Sequence, residues 1–375
     1  MRVPITRPVI DEREHAAVGE VLASGHLVQG PQVARFEQLV AAVVGARHAV
    51  AVSNCTAALR VTLRCLGIGT GSRVAVTPYS WVATANVIEL CGATPVFVDV
   101  DPHTFNMDAD LLSSVLSGGE RVDAVMPVHT FGNPAGIDRI VELASSHGVP
   151  VVEDAACALG ARWHGRPAGS FGIASCFSFH PRKIVTTGEG GMIVTDRDDL
   201  AESARVHRNH GQQAVDGVVE FVEAGDNLRL TDLQGALGVV QMSRLDELVA
   251  GRAAWAARYD ERITELGFQP QQRAEGAAVQ SYVCLTPPGT TAAAVIQGLR
   301  EHEVEATIGT NAIPFTKHHR ERYGLTDAEL PRTAMLRDRA VTLPLFPTMT
   351  VAEHDHVVDS LARTVAGVSS ERRGE

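Results

Sequence analysis

The sequence lacks paired cysteines and clustered metal ligands. Its six cysteines are scattered without a CxxC pair, and its histidines form no cluster at the spacing that metal sites use. We therefore expect free thiols and no metal site.

Long apolar runs and a basic surplus are also missing. The segment MRVPITRPVIDERE has no apolar core of signal-peptide length, and no later run is long enough to span a bilayer. The chain has 33 Lys and Arg against 44 Asp and Glu, a net charge of −11 that repels a phosphate backbone. We expect a cytoplasmic protein that binds neither nucleic acid nor membrane.

What is present is the composition of a folded globular protein. Hydrophobic residues make up 45% and charged residues 21%, which is ordinary globular usage. A chain of 375 residues is longer than one core usually supports, so two domains that share an interface are expected.

One theme repeats between residues 48 and 195: a short β-branched apolar run, a turn, and a helical stretch. The runs are HAVAVS, RVAVTP, TPVFVDVD, AVMPVHTF, VPVVEDAA, IASCFSF and GMIVTD. Several are apolar at consecutive positions, as strands buried on both faces are. The pattern indicates an α/β domain with a largely parallel sheet.

The pattern changes after residue 225, where one long helix or two abutting ones are followed by alternating strand-like and helical segments. We expect a large domain over residues 1–245 and a smaller α+β domain over 246–375. The first 25 residues or so are expected to pack on the small domain.

Two segments carry candidate chemistry. VPVVEDAACALGA delivers Asp154 to the carboxyl end of a buried strand, where it could cap the next helix or pair with a cationic ring nitrogen. SCFSFHPRKIVTTGEGGMIVTD places Lys183 between two strands, where it could be a solvated loop residue or a partly desolvated nucleophile. Ser178, in the same segment, could donate its hydroxyl to a phosphate.

Two further segments could complete a cofactor site. AVSNCTAALRVTL runs from a strand through Cys55 and Thr56 into a helix, so its free amides could bind a phosphate or simply form an ordinary helix start. TPYSWVATANVIEL places Trp81 after a strand, where its indole could stack on a flat ring or pack in the core.

Taken in chain order, five motifs resemble the DegT/DnrJ/StrS sugar aminotransferase family. They are SNCTAAL, PYSWVATANVIELCGATPVFVDVD, VEDAACALGA, SFHPRKIVTTGEGGMIVT and GDNLRLTDLQGALGVVQ. The resemblance implies the aspartate aminotransferase-like fold, fold type I, with a mostly parallel seven-stranded sheet in the large domain. It also implies a homodimer in which two subunits share each active site.

The resemblance also implies the cofactor and the residues that hold it. Pyridoxal 5'-phosphate would be bound as a Schiff base to Lys183, with Asp154 on its ring nitrogen and Trp81 stacked on its ring. The other matching positions are Cys55, Thr56 and Ser178 at the phosphate, Cys157 near the phenolic oxygen, and Asn227 reaching the phosphate from the partner subunit.

The implied activity is transfer of an amino group from glutamate or glutamine to a keto-sugar, nucleotide-linked, in amino-sugar or secondary-metabolite biosynthesis. The sequence departs from the family pattern in two places. Cys157 stands where Gln or His is usual, and the Tyr-x-Pro-x-His stretch is not recognisable in IGTNAIPFTKHH. A keto-cyclitol or another cyclic ketone is therefore an alternative acceptor.

Other functions stay open at this point. Sugar dehydratases of the same family resemble this sequence but carry histidine at the lysine position, so Lys183 disfavours dehydration. A non-catalytic regulator that binds pyridoxal phosphate would need a nucleic-acid-binding module, which is not visible. A nicotinamide dehydrogenase would need the GIGTGS turn after a strand, whereas here it follows a predicted helix.

Overall fold

A computed structural model describes residues 1–119 and 121–371, so the last four residues of the expected small domain lie outside it. The helices are α1 Glu12–Ser24, α2 Pro31–Val44, α3 Cys55–Cys65, α4 Ala83–Leu90, α5 Ala109–Ser117, α6 Ile137–Ser146, α7 Asp198–His207, α8 Asp232–Met242, α9 Leu245–Ile263, α10 Ala292–Glu301, α11 Lys317–Tyr323, α12 Pro331–Arg339 and α13 Val351–Glu371. Among these residues, no helix combines the length and apolarity that crossing a membrane requires.

The strands are β1 His48–Val52, β2 Arg73–Val76, β3 Tyr79–Ser80, β4 Thr94–Phe97, β5 Ala124–Met126, β6 Val152–Asp154, β7 Arg162–Trp163, β8 Arg166–Pro167, β9 Ala174–Ser178, β10 Gly191–Thr195, β11 Gln212–Val215, β12 Val218–Phe221, β13 Gln269–Pro270, β14 Tyr282–Leu285, β15 Thr307–Ile308, β16 Asn311–Ala312 and β17 Ala340–Leu343. Short 3-10 turns lie at Thr130–Gly132, Thr264–Leu266 and Ile313–Phe315.

The central sheet contains the seven strands expected from the apolar runs. One set has the order β1-β10-β9-β6 and another the order β4-β2-β5. Parallel bridges from Val125 to Val151 and from Val128 to Asp154 join the two sets through β5 and β6. Only β10 runs antiparallel to its neighbours within these strands, so the prediction of a mostly parallel seven-stranded sheet is confirmed.

Burial on both faces explains the apolar runs. Every residue of β9 and β10 is buried, and α3 and α7 are among the helices packed along these strands. Close packing needs glycine at Gly191, where a Cβ atom would lie 2.4 Å from the carbonyl carbon of Asn54. This contact brings the start of β10 against the turn that leads into α3.

A second sheet, with the order β13-β14-β17-β15, lies in the carboxyl-terminal part of the chain and is antiparallel throughout its described pairs. Its core includes Tyr259, Tyr282 and Phe346, which are fully buried. The connecting region consists of two abutting helices, α8 and α9. We retain residue 245 as the proposed boundary between the domains.

The amino-terminal residues contact both parts. The Val3 amide donates to the Glu303 carbonyl over 3.0 Å, and Val3 belongs to the same apolar core as Tyr282. Helix α1 instead packs on α8, where Gln241 Nε2 donates to Glu14 Oε1 over 2.7 Å. The residues around Val3 thus pack on the apolar core of the second sheet, while α1 lies against α8.

Candidate active site

The candidate residues collect at the carboxyl edge of the central sheet. Parallel strands β6 and β9 both end there, at Asp154 and Ser178. The register pairs Ser178 with Gly191 and Gly191 with Val52, so the loop after β1 begins at the same edge. This is the edge at which open α/β sheets bind ligands.

Lys183 is half-buried in the loop that follows β9. Its amide donates to the His180 carbonyl over 2.8 Å, and its Nζ donates to Cys157 Sγ over 3.1 Å. Burial acts to lower the pKa of Lys183. The net shift is nevertheless upward, because Lys183 is attracted to Cys157 and hydrogen-bonded to it, and Cys55 and Asp154 add further electrostatic attraction. The amine therefore carries a proton that it must release before it can attack a carbonyl.

Asp154 is 3% exposed at the end of β6. Its Oδ2 accepts a hydrogen bond from Thr84 Oγ1 over 2.8 Å, and its Oδ1 accepts one from the Ala156 amide over 3.2 Å. Burial raises the pKa of Asp154, although Thr84, Ala156 and the charges of Lys183 and His129 act in the opposite direction. The carboxylate is thus desolvated and held by neutral donors.

Glu153 lies next to Asp154 but has a different environment. It is fully buried, and its carboxylate accepts from the amides of Gly169, Phe171 and Gly172 over 2.6 to 2.8 Å. His129 Nε2 lies 2.7 Å from Glu153 Oε2. These contacts satisfy Glu153 internally, so it supports the strand end and is not available to a ligand.

The residues proposed for a phosphate lie around the start of α3. The Asn54 side chain caps this helix by accepting from the Ala57 amide over 2.8 Å, and Cys55 and Thr56 are its first two residues. Thr56 is exposed, while Ser178 is 9% exposed on the neighbouring strand end. Unpaired amides and the positive end of the helix dipole favour an anion at such a terminus.

Trp81 and Asn227, like Thr56, are exposed. Trp81 follows β3 and is 65% exposed, so its indole face is open to a flat ligand. Asn227 is exposed beside Leu228, whose carbonyl accepts from the Ser53 amide over 2.8 Å. A role for Asn227 in a partner's site stays a proposal.

Sequence reasoning missed Thr84, which lies inside the motif that contains Trp81. Thr84 is 1% exposed on α4, and Ser80 Oγ lies 3.0 Å from its Oγ1. A hydroxyl three residues after Trp81 gives no local sign of its partner, because Asp154 lies 70 positions further along the chain.

The cluster fits the cofactor that the resemblance implies. Among the described residues, Asp154 is a buried carboxylate without an ion pair within 4 Å, and a protonated pyridine nitrogen would supply the missing cation. Lys183, the exposed Trp81 and the start of α3 provide an amine, a ring face and an anion site on the same part of the sheet. We propose that these residues hold pyridoxal phosphate.

Comparisons with known proteins identify the family and the fold. The model of the DegT/DnrJ/EryC1/StrS aminotransferase family matches residues 8–362. Spr1654 of Streptococcus pneumoniae, solved in a PMP form, is 25% identical with a TM-score of 0.94, and each chain is covered completely. PseC of Helicobacter pylori, an aminotransferase involved in the biosynthesis of pseudoaminic acid, is 26% identical with a TM-score of 0.93, over 98% of this chain and 100% of that one.

A third solved structure, the aminotransferase TlmJ of Streptoalloteichus hindustanus, is 30% identical with a TM-score of 0.91, over 98% of this chain and 100% of that one. The expectations of an α/β fold of this type, of aminotransferase activity and of pyridoxal phosphate as cofactor are confirmed. The chain belongs to the DegT/DnrJ/EryC1/StrS aminotransferase family.

Proposed function

We propose that this aminotransferase moves an amino group from glutamate or glutamine to a nucleotide-linked keto-sugar. The observation that carries the proposal is the position of Lys183, whose Nζ lies at the same sheet edge as the buried carboxylate of Asp154. An amine and a desolvated carboxylate so placed are what transamination with pyridoxal phosphate requires.

Lys183, Asp154 and Thr84 have different roles in the proposed transamination. When bound, pyridoxal phosphate supplies a carbonyl that reacts with amines and a ring that accepts an electron pair. Lys183 Nζ takes a proton from the α-carbon of the amino donor, and in the second half-reaction it returns one to the carbon that receives the amino group. Asp154 holds a proton on the ring nitrogen, and Thr84 holds Asp154 in place.

We further propose a homodimer with shared sites. Asn227 is exposed in the chain described, so it is free to reach a neighbouring subunit. Nearby, β12 and the residue after it expose apolar side chains, namely Val218, Val219, Phe221 and Val222. An exposed apolar patch of this kind is typical of protein contacts.

A second acceptor class, a keto-cyclitol or another cyclic ketone, is favoured by one observation. The segment that departs from the family pattern contains β16, and β16 pairs with β3 in the register Asn311 to Ser80. This pairing places the divergent segment next to the residue that precedes Trp81. A change in this segment would alter the shape of the site next to Trp81, where an acceptor of a different class could be accommodated.

Spectroscopy tests the transaminase proposal. Purified protein with pyridoxal phosphate is expected to show a visible absorbance band that shifts when glutamate or glutamine is added, and Lys183→Ala is expected to show no shift. If the wild-type protein binds the cofactor and no amino donor moves the band, the proposed activity is wrong.

A second assay addresses the acceptor. The aminated form of the enzyme is mixed with nucleotide-linked keto-sugars and with keto-cyclitols, and the return of the original absorbance is followed. Return with a keto-sugar alone supports the first acceptor, whereas return with a cyclitol alone supports the second. Substrates aminated in this way are then identified by mass spectrometry.

A further inference from the structure

Helices α4 and α11 bring three potential ligands together outside the site described above. Glu89 lies near the end of α4, and His318 and His319 lie in the first turn of α11. His318 Nε2 is 2.7 Å from Glu89 Oε2, and His319 Nε2 is 3.9 Å from Glu89 Oε1. The three ligand atoms all lie within 4.8 Å of one another.

The hydrogen bonds of His319 identify which ring nitrogen carries the proton. Thr316 Oγ1 donates to the Ile313 carbonyl over 2.7 Å, because a carbonyl can only accept. The Thr316 oxygen therefore accepts from His319 Nδ1, which lies 3.0 Å away. In the neutral ring, Nε2 is consequently left with a lone pair.

That lone pair is buried and has no hydrogen-bond partner. His319 is 2% exposed, and its Nε2 is a buried atom without a partner in the described structure. It points towards Glu89 Oε1, which is also an acceptor. A buried, unpaired acceptor that faces a carboxylate oxygen is stabilised by a positive species between the two, either a proton or a metal ion.

We propose that Glu89, His318 and His319 form a binding site for one divalent transition-metal ion of the zinc class. Imidazole nitrogens with one carboxylate are ligands that zinc accepts, and three protein ligands leave a position for water. The hydrogen bond from His319 Nδ1 to Thr316 is the outer contact that orients a metal-binding histidine. His318 is half-exposed, so the open position faces solvent.

The geometry needs small adjustments of both signs. Ligand atoms about 2.1 Å from a tetrahedral ion are separated by roughly 3.4 Å. The separation of 2.7 Å between His318 and Glu89 is already shorter than this, and the 3.9 Å between His319 and Glu89 is slightly longer. Side-chain rotation within the cluster would supply these adjustments.

Two other side chains face the carboxylate. Tyr323 donates its hydroxyl to Glu89 Oε1 over 2.6 Å, which orients the carboxylate and leaves Oε2 towards His318. Arg322 Nε lies 3.7 Å from Oε1, but 58% of its side chain is exposed, so the guanidinium can move into water when a cation binds. A bound ion would thus tie α11 to α4.

Metal binding to the holoenzyme tests the proposal. After treatment with a chelator, the enzyme is titrated with Zn²⁺ by calorimetry and with Co²⁺ by its visible d–d absorbance. The variants are Glu89→Gln and His318→Ala, with His103→Gln as a control at an exposed histidine elsewhere. Each variant carries the same amount of pyridoxal phosphate, so metal bound by the cofactor is common to all.

The wild type and His103→Gln are expected to bind one ion per chain at this site with the same affinity. Glu89→Gln and His318→Ala should each weaken binding at least tenfold. Because His318 is half-exposed, its replacement should leave folding intact, and circular dichroism checks this. Equal binding by all four proteins, or none by the wild type, would show that a proton occupies the position instead.

Discussion

Replacing Thr84 with valine tests how the protein controls Asp154. The substitution preserves side-chain shape but removes the hydroxyl that donates to Asp154 Oδ2 over 2.8 Å. A hydrogen bond to a charged group contributes about 1.5–3 kcal/mol, and that loss corresponds to a rate change of roughly 10- to 150-fold. We expect kcat/KM of Thr84→Val to fall within this range.

The pH profile gives a second and more specific measurement. Burial already raises the pKa of Asp154, and the Thr84 hydrogen bond is one of the interactions that lower it. Removing that bond raises the pKa further, so the acidic limb of the activity profile should move to higher pH. A merely structural defect would lower activity without moving this limb.

Thr84→Ser is the matched control because it keeps the hydroxyl. It should retain most of the wild-type activity and a wild-type pH profile. Steady-state assays of both variants across the pH range, with pyridoxal phosphate in excess, separate weak cofactor binding from a change at Asp154. A valine variant with wild-type rate and profile would refute the role assigned to Thr84.

Three other predictions concern the same site. Asp154→Asn should abolish most turnover yet increase the free energy of unfolding of the cofactor-free protein at pH 7. A carboxyl group whose pKa is raised by folding lowers the free energy of unfolding at pH values above its folded pKa, by about 1.4 kcal/mol for each pKa unit of the increase. The gain from Asp154→Asn, measured by denaturation, should therefore disappear as the pH falls towards the usual aspartate range. Cys157→Ala should lower the pKa of Lys183, which stopped-flow absorbance would detect as faster uptake of pyridoxal phosphate at neutral pH; an unchanged pH dependence would contradict this. Mixing inactive Lys183→Ala and Asn227→Ala proteins after subunit exchange should restore part of the activity, whereas no recovery would mean that Asn227 serves its own chain.

Much of this protein could be predicted from local sequence. The seven apolar runs correspond to the seven strands of the central sheet, because burial on both faces demands consecutive apolar residues. Lys183 and Asp154 could be singled out because a strand end followed by a turn is where α/β proteins bind ligands. Side-chain chemistry and short-range sterics are sufficient for such inferences.

Tertiary structure decided the contacts between distant residues. The antiparallel direction of β10, the hydrogen bond from Thr84 to Asp154 and the contact between Lys183 and Cys157 depend on how elements pack. The contact between Glu89 and His318 likewise joins residues that are 229 positions apart. Periodicity records which face of an element is buried, but it does not record which side chains meet there. Only the packed chain determines those partners.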